Sequence, residues 1–243
     1  MDFKNPECIT EFLKYQKSVL RKYIFFVKEK VRTDYKHAAI FVYWLDEYLK
    51  YIEDEKNFNP ARNMKYKRGQ IVLVNFGHRI GSELGGNHYA IVIDNKNSRY
   101  SNTVTVMPLK SKKEKITKYA EIYHVSLGHL IGKMIYSKSL DIYNEYLQQA
   151  KKVETNTMLR STDKKVQVAK LKRMLRISKE TMEYSKKMNI KESVADTGQL
   201  ITISKQRIIT PAKDREPLAG IILSPDIMGE IDEKLRYLYL DNS

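Results

Sequence analysis

Residues 68–95 are RGQIVLVNFGHRIGSELGGNHYAIVIDN, two stretches rich in β-branched residues on either side of a glycine-rich loop. Gly69–Phe76 and His88–Asp94 both have the composition and alternation of strands. A short polar turn follows, and Thr103–Leu109 is a third stretch of the same kind. The pattern predicts three consecutive strands, of which the first two are joined by the loop His78–Asn87.

The sequence before this unit predicts two helices. Residues 7–56 have apolar side chains at helical spacing and no glycine. Thr33-Asp34 is a helix-capping signal in the middle of the segment, so we expect two antiparallel helices joined near Arg32–Asp34. Asn57-Phe58-Asn59-Pro60 then ends the helical pattern. We therefore treat residues 1–60 as an N-terminal helical extension, and residues 64–243 as the main domain.

The sequence after the third strand alternates between β and helical patterns. Ala120–Val125 is a predicted fourth strand, and residues 128–195 are predicted to form a basic helical insertion. Residues 198–209 return to the β pattern. A last helix is expected after the capping sequence Ser224-Pro225-Asp226. Connections as long as 128–195 inside one domain are usually functional or fold independently.

The net charge of +15 favours a polyanionic partner. Its distribution is uneven, because residues 128–195 hold 15 basic and 7 acidic residues while residues 196–243 hold 6 and 8. There is no apolar run long enough to cross a membrane and no secretory signal pattern, so we expect a cytoplasmic protein. The single cysteine, Cys8, excludes an internal disulfide and a thiolate metal site.

Three motifs occur in the order found in the MazF/PemK/Kid toxins, and the chain resembles that family. They are residues 68–95, Ser101–Ser111 (SNTVTVMPLKS), and Leu200–Ile208 (LITISKQRI) with the helix start Leu223–Asp226 (LSPD). The resemblance implies an α+β fold with a small, strongly bent β-barrel and a C-terminal helix. It also implies a homodimer that binds a cognate antitoxin and cleaves single-stranded RNA with no metal or cofactor, leaving a 2′,3′-cyclic phosphate and a 5′-hydroxyl.

The catalytic positions of the family are occupied by different residue types in this chain. The family has Arg directly after the Gly-Gly-x sequence and Thr or Ser at the end of the third strand; these positions are His88 and Lys110, with Ser111 next to Lys110. We expect His88 to transfer protons, because imidazole titrates near neutral pH. Lys110 would supply a cation to the phosphorane and Ser111 a hydrogen bond. Ile201 and Ser204 stand where a late-strand Arg and Asp are expected.

Basic and glycine residues around these positions are candidates for contacts with RNA phosphates. The basic residues and the glycines of the loop precede His88 in the sequence, and a run of lysines follows Lys110. The predicted RNA-binding residues are His78, Arg79, Gly85, Gly86, Lys112, Lys113 and Arg207.

Two alternatives to an active ribonuclease stay open from the sequence. The first is a non-catalytic regulator on the same scaffold that binds nucleic acid or protein, in the manner of the gyrase poisons of this superfamily. The second is that residues 1–60 cover the RNA site within the same chain.

Overall fold

The computed structural model describes residues 5–115, 117–158, 160–188, 191–214 and 216–241. It consists of two compact units, residues 1–57 and 58–243. The first unit holds helices α1 (Pro6–Thr33) and α2 (Tyr35–Asp54). Asp34 lies between them and caps α2 by accepting a hydrogen bond from the backbone N–H of His37 (3.1 Å). The helix boundary predicted at Thr33-Asp34 is confirmed.

The second unit is organised around a seven-stranded antiparallel sheet. Its strands are β1 (Ile71–Asn75), β2 (Asn87–Val92), β3 (Thr103–Ser111), β4 (His124–Gly128), β5 (Ser193–Asp196), β6 (Ile201–Ser204) and β7 (Ile208–Thr210). The order along the sheet is β4-β5-β3-β2-β1-β7, with β6 paired to β3. The predicted α+β class is correct. The small, strongly bent barrel is not confirmed, because among the described residues the edge strands β4 and β7 pair with β5 and β1 and not with each other, so the sheet is open.

Strands β5 and β6 lie one after the other along the same edge of β3. Residues 109–111 of β3 pair with residues 193–195 of β5, and residues 103–106 pair with residues 201–204 of β6. The 3-10 turn Thr197–Gln199 separates the two short strands. This edge contains three more residues than the facing part of β3, so the turn bulges out of the sheet. The β structure predicted at 198–209 begins later, at Ile201, and is interrupted once, at Lys205–Arg207.

In the described part of the second unit the α-helices are α3 (Lys118–Tyr123), α4 (Leu130–Thr155), α5 (Ser161–Met188) and α6 (Pro225–Tyr239). The strand predicted at Ala120–Val125 is wrong up to Tyr123, because the hydroxyl of Thr117 accepts the backbone N–H of Ala120 (3.2 Å) and starts α3; the strand begins only at His124. Helices α4 and α5 lie within the predicted insertion 128–195, but its two ends belong to β4 and β5. Among the described residues, no helix is long and apolar enough to cross a membrane.

Both faces of the sheet are buried, and alternate residues point to opposite faces. Leu73 and Tyr89 lie on one face, which packs against helices α4 and α6 through Ile135 and Ile231. The opposite face packs a second cluster, which consists of Tyr66, Val72, Val74, Phe76, Ala90, Val92, Val104, Val106, Ile203 and Ile208. By this alternation His88 belongs to the second face.

Candidate functional site

The glycine-rich loop between β1 and β2 is closed by backbone hydrogen bonds at its base. The N–H of Gly86 donates to the carbonyl of Gly77 (2.7 Å), and the N–H of Phe76 donates to the carbonyl of Gly86 (2.8 Å). Gly86 has φ +83°, a conformation that side chains disfavour. A Cβ on Gly85 would lie 2.8 Å from the carbonyl oxygen of Gly77. Glycine at both positions therefore allows the tight closure that places the start of β2.

Gln199, in the 3-10 turn of the β5–β6 edge, holds the outer part of this loop. Its side-chain oxygen accepts the N–H of Leu84 (3.0 Å), and its side-chain nitrogen donates to the carbonyl of Ser82 (3.1 Å). The loop is thus fixed at its base by its own backbone and at its tip by a residue more than a hundred positions later.

His88 stands at the start of β2, opposite Val74 of β1. Burial lowers the pKa of its imidazole below the ordinary value, and hydrogen bonds with the backbone of Leu109 and Gly85 act in the opposite direction. The imidazole is therefore neutral at pH 7 and able to accept a proton. His88 thus contacts the backbone of Leu109, and Leu109 directly precedes Lys110. The two predicted catalytic residues, His88 and Lys110, therefore lie on neighbouring strand ends.

Lys110 is paired with a buried carboxylate. Its Nζ lies 2.5 Å from Oδ2 of Asp196, whose side chain is 0% exposed, while 24% of the Lys110 side chain is exposed. The same Nζ lies 5.2 Å from the ring centre of Tyr119, a cation–π distance. The Tyr119 hydroxyl donates to Oδ1 of Asp196 (3.0 Å). Burial and that hydrogen bond raise the pKa of Tyr119 to about 12, so the phenol remains protonated.

His124 completes this group, and we call Lys110, Tyr119, His124 and Asp196 the Asp196 cluster. In the β4–β5 pair His124 lies opposite Asp196, and its Nε2 is 3.9 Å from Oδ2. Burial and the nearby Lys110 charge lower the pKa of His124, while Asp196 acts in the opposite direction. The Nε2 atom is buried and has no hydrogen-bond partner among the described residues. The cluster thus presents a neutral imidazole beside an ion pair.

The other predicted residues after β3 are exposed. Ser111 lies at the strand end, opposite Ser193 of β5. Nζ of Lys112 lies 2.5 Å from Oε2 of Glu192, so its charge is already paired at the surface. Lys113 is exposed. Ser111, Lys112 and Lys113 thus form an exposed run directly after Lys110, in which Lys112 is paired with Glu192.

The remaining predicted residues collect around the glycine-rich loop. Nε of Arg207 donates to the carbonyl of Asn75 at the end of β1 (2.8 Å). Nε of Arg79 donates to the carbonyl of Phe76 (3.1 Å), and its guanidinium lies 3.6 Å from the Glu83 carboxylate. His78 is half-buried beside Arg79. The structure therefore brings Arg207, Arg79 and the loop glycines to the strand ends next to His88.

Sequence analysis missed Asp196, Tyr119, His124 and Gln199. Asp196 lies 86 positions after Lys110 and 72 after His124. It ends a four-residue strand inside a segment with helical composition, so no local pattern marks it. Among the described residues, no group of three or more His, Cys, Asp or Glu side chains lies close enough to hold a metal ion.

Comparison with known proteins identifies the segment that carries the loop, His88 and Lys110. No curated protein matches the chain. Residues 67–133 match the family model described as PemK-like, MazF-like toxin of type II toxin-antitoxin system. The match begins before β1, includes β1 to β4 and ends in the first turn of α4. Residues 67–133, which hold the loop, His88 and Lys110, are thus similar to the PemK-like, MazF-like toxins.

Proposed function

We propose that this protein is the toxin of a type II toxin–antitoxin module, and that it cleaves single-stranded RNA by attack of a ribose 2′-hydroxyl. The observation that carries the proposal is the position of His88. It is a half-buried imidazole that is neutral at pH 7, at the strand end beside Lys110, within the segment that matches the toxin family. Neutral imidazole is the side chain best suited to accept a proton from a hydroxyl at this pH.

In the proposed reaction His88 takes the proton of the 2′-hydroxyl, and the 2′-oxygen attacks the adjacent phosphorus. The bond from phosphorus to the 5′-oxygen then breaks, and that oxygen takes a proton from solvent water and leaves as an alcohol. The protonated His88 returns its proton to the solvent. The products are a 2′,3′-cyclic phosphate and a 5′-hydroxyl. The reaction needs no water as nucleophile and no metal ion.

Lys110 and Ser111 would contact the phosphate in this reaction. An ammonium has three N–H donors, and the Asp196 carboxylate occupies one of them. The others can hydrogen-bond to a phosphorane oxygen. Ser111 is the next residue, at the exposed end of β3, and its hydroxyl would contact the phosphate from there. Because Asp196 compensates part of the Lys110 charge, we expect Lys110 to contribute less than an unpaired cation would.

The phosphates on either side of the cleavage site would be bound by Arg79, Arg207, Lys112 and Lys113. The backbone of Gly85 and Gly86 would lie close to the RNA chain. Such contacts make affinity depend steeply on salt. The proposed toxin also has a cognate antitoxin as its protein partner, and it forms a homodimer through the sheet unit.

The proposal is tested by incubating the purified chain with a mixed-sequence RNA in EDTA. We expect fragments with 5′-hydroxyl ends from the wild type and from His129→Ala, a control variant at an exposed histidine. His88→Ala should reduce the rate by about 10²-fold or more. Equal rates for His88→Ala and the control would contradict the assignment of His88.

The Lys110–Asp196 ion pair favours one alternative, a regulator that binds RNA or protein and does not cleave. A cation that is already paired to a buried carboxylate stabilises a new negative charge less than an unpaired one. Intact RNA in the assay above, together with salt-dependent RNA binding, would support this alternative.

A further inference from the structure

A groove with a volume of about 1290 Å³ lies between helices α4 and α5, the β1–β2 part of the sheet and residues 209–218. The sheet contributes Leu73 and Tyr89, which point to the face opposite His88. The groove is therefore separate from the candidate catalytic site. It is also larger than most small-molecule sites, which have volumes of about 300–1,000 Å³.

The floor of the groove is apolar. It is formed by Leu73, Val153, Leu171, Met174, Ile177 and Leu218. The rings of Tyr89 and Tyr184 stand 5.9 Å apart at an angle of 57° and pack on each other at one side. An occupant must therefore bring aliphatic or aromatic side chains of its own to this floor.

The length of the groove matches a helix. Helix α5 lines it from Gln167 to Tyr184, with contributing residues three or four positions apart. At about 1.5 Å per residue this row is about 25 Å long. A helical segment of about 17 residues would lie along it with one apolar face inward.

The rim carries positive charge. Four exposed basic side chains surround the floor: Lys152, Lys170, Arg173 and Lys213. Two of the three acidic lining residues have other partners. The Glu216 carboxylate accepts hydrogen bonds from the Thr210 hydroxyl and the Ala212 N–H (both 2.8 Å), and Glu180 lies 3.7 Å from Arg176. The lining thus holds four basic and three acidic groups, and Arg176 compensates one of the acidic ones, so the net charge of the groove is positive.

We propose that this groove binds an acidic amphipathic helix of a partner protein. Apolar residues of that helix would fill the floor, and its Glu or Asp side chains would pair with the basic rim. Single-stranded RNA fits less well, because the floor is largely aliphatic and the ring of Tyr89 is buried, so it offers no open face to a base. The proposal does not depend on ribonuclease activity, because it uses the opposite face of β2.

The test is fluorescence anisotropy of the full chain with labelled synthetic peptides of about 18 residues. One peptide places Leu at helical spacing on one face and Glu elsewhere, and a second has the same composition in scrambled order. We expect the amphipathic peptide to bind at least about tenfold more tightly than the scrambled one. Ile177→Glu should reduce this binding, because it places a charge in the floor.

The rim is tested by two variants of equal charge change on α5. Lys170→Glu/Arg173→Glu reverses the sign of two rim charges. Lys172→Glu/Lys179→Glu makes the same charge change at exposed residues of the same helix that do not line the groove. The first variant should lower the affinity for the amphipathic peptide about tenfold, and the second should lower it much less. All four substitutions lie at exposed positions, and circular dichroism checks that both variants keep their helix content.

Three results would overturn the proposal: no binding of the amphipathic peptide, equal binding of the scrambled peptide, or equal effects of the two charge variants. A labelled oligouridine probe separates the RNA alternative. If Lys170→Glu/Arg173→Glu weakens binding of the oligouridine, and the amphipathic peptide does not bind, the groove is an RNA-binding surface.

Discussion

The Lys110 ammonium lies 2.5 Å from the carboxylate of Asp196, and this contact connects the end of β3 to the end of β5. The Asp196 side chain has no exposed surface, and a buried carboxylate needs partners that compensate its charge. These partners are the Lys110 ammonium and the hydrogen bonds from the Tyr119 hydroxyl and the Gly198 N–H. The turn that begins after Asp196 places Gln199 against the glycine-rich loop. One buried carboxylate thus links the proposed phosphate-binding lysine to the segment that holds the loop.

Asp196→Asn should destabilise the fold by about 3 kcal/mol, because it leaves the partly buried Lys110 ammonium without its counter-charge. The measurement is urea unfolding at pH 7.5. Glu192→Gln is the matched control, since it breaks the surface pair with Lys112 and should have little effect. Equal destabilisation by the two substitutions would show that burial of Asp196 does not set the strength of its pair.

Gly198→Ala should destabilise the fold and slow RNA cleavage. A Cβ at this position would lie 2.6 Å from the Tyr119 hydroxyl and 2.9 Å from Cδ1 of Tyr123, so the 3-10 turn or the two rings must move. That movement would also displace Gln199 from the loop. Urea unfolding and the cleavage rate measure the two effects.

Gly229→Ala in α6 is the control for the glycine substitution. Its Cβ would meet no atom within 4 Å, and alanine favours the helix, so this change should raise the free energy of unfolding by about 0.5–1 kcal/mol. A Gly198→Ala protein as stable as the wild type would mean that the turn adjusts without strain.

Stability should fall as the pH is lowered from 7.5 to 5.5, in part through His88 and His124. Burial lowers the pKa of both imidazoles in the folded state, so the unfolded chain binds more protons between the folded pKa and the ordinary value near 6.5. The contribution of the two histidines to the free energy of unfolding is present above the ordinary pKa, and it is lost as the pH falls towards the pKa of the folded state. Urea unfolding at the two pH values measures the loss.

The double variant His88→Gln/His124→Gln isolates the histidine contribution to this pH dependence. Glutamine does not titrate, so the variant should lose less free energy of unfolding between pH 7.5 and 5.5 than the wild type. The same loss in both proteins would assign the pH dependence to other groups, such as carboxylates that are paired in the folded state.

The elements that could be predicted from the sequence are those with a strong local pattern. The alternation in residues 71–75 and 103–109 predicts β1 and β3, and Ser224-Pro225-Asp226 predicts the start of α6. The break between α1 and α2 was found in the same way, since Asp34 is a capping residue whose partner is only three positions away. In each case the contact that defines the element is close in sequence.

The contacts that could not be predicted are long-range or depend on register. Residues 118–123 contain alternating apolar residues, but the Thr117 cap and the packing of Tyr119 against Asp196 favour a helical turn. Strand β5 has four residues and follows a long helix, so its pairing with β3 has no local signal. Asp196, Tyr119 and Gln199 were missed for this reason, because the contacts of Asp196 with Lys110 and Tyr119, and those of Gln199 with the glycine-rich loop, join positions that are far apart in the sequence.

The most direct test of the central claim is cleavage, in EDTA, of an RNA that carries one 2′-deoxynucleotide at its mapped cleavage site. If the ribose 2′-hydroxyl is the nucleophile, the substituted RNA stays intact, and the unmodified RNA gives a 2′,3′-cyclic phosphate and a 5′-hydroxyl. We expect both results with the wild type, and loss of cleavage of the unmodified RNA with His88→Ala. Cleavage of the substituted RNA at the same site would contradict the account.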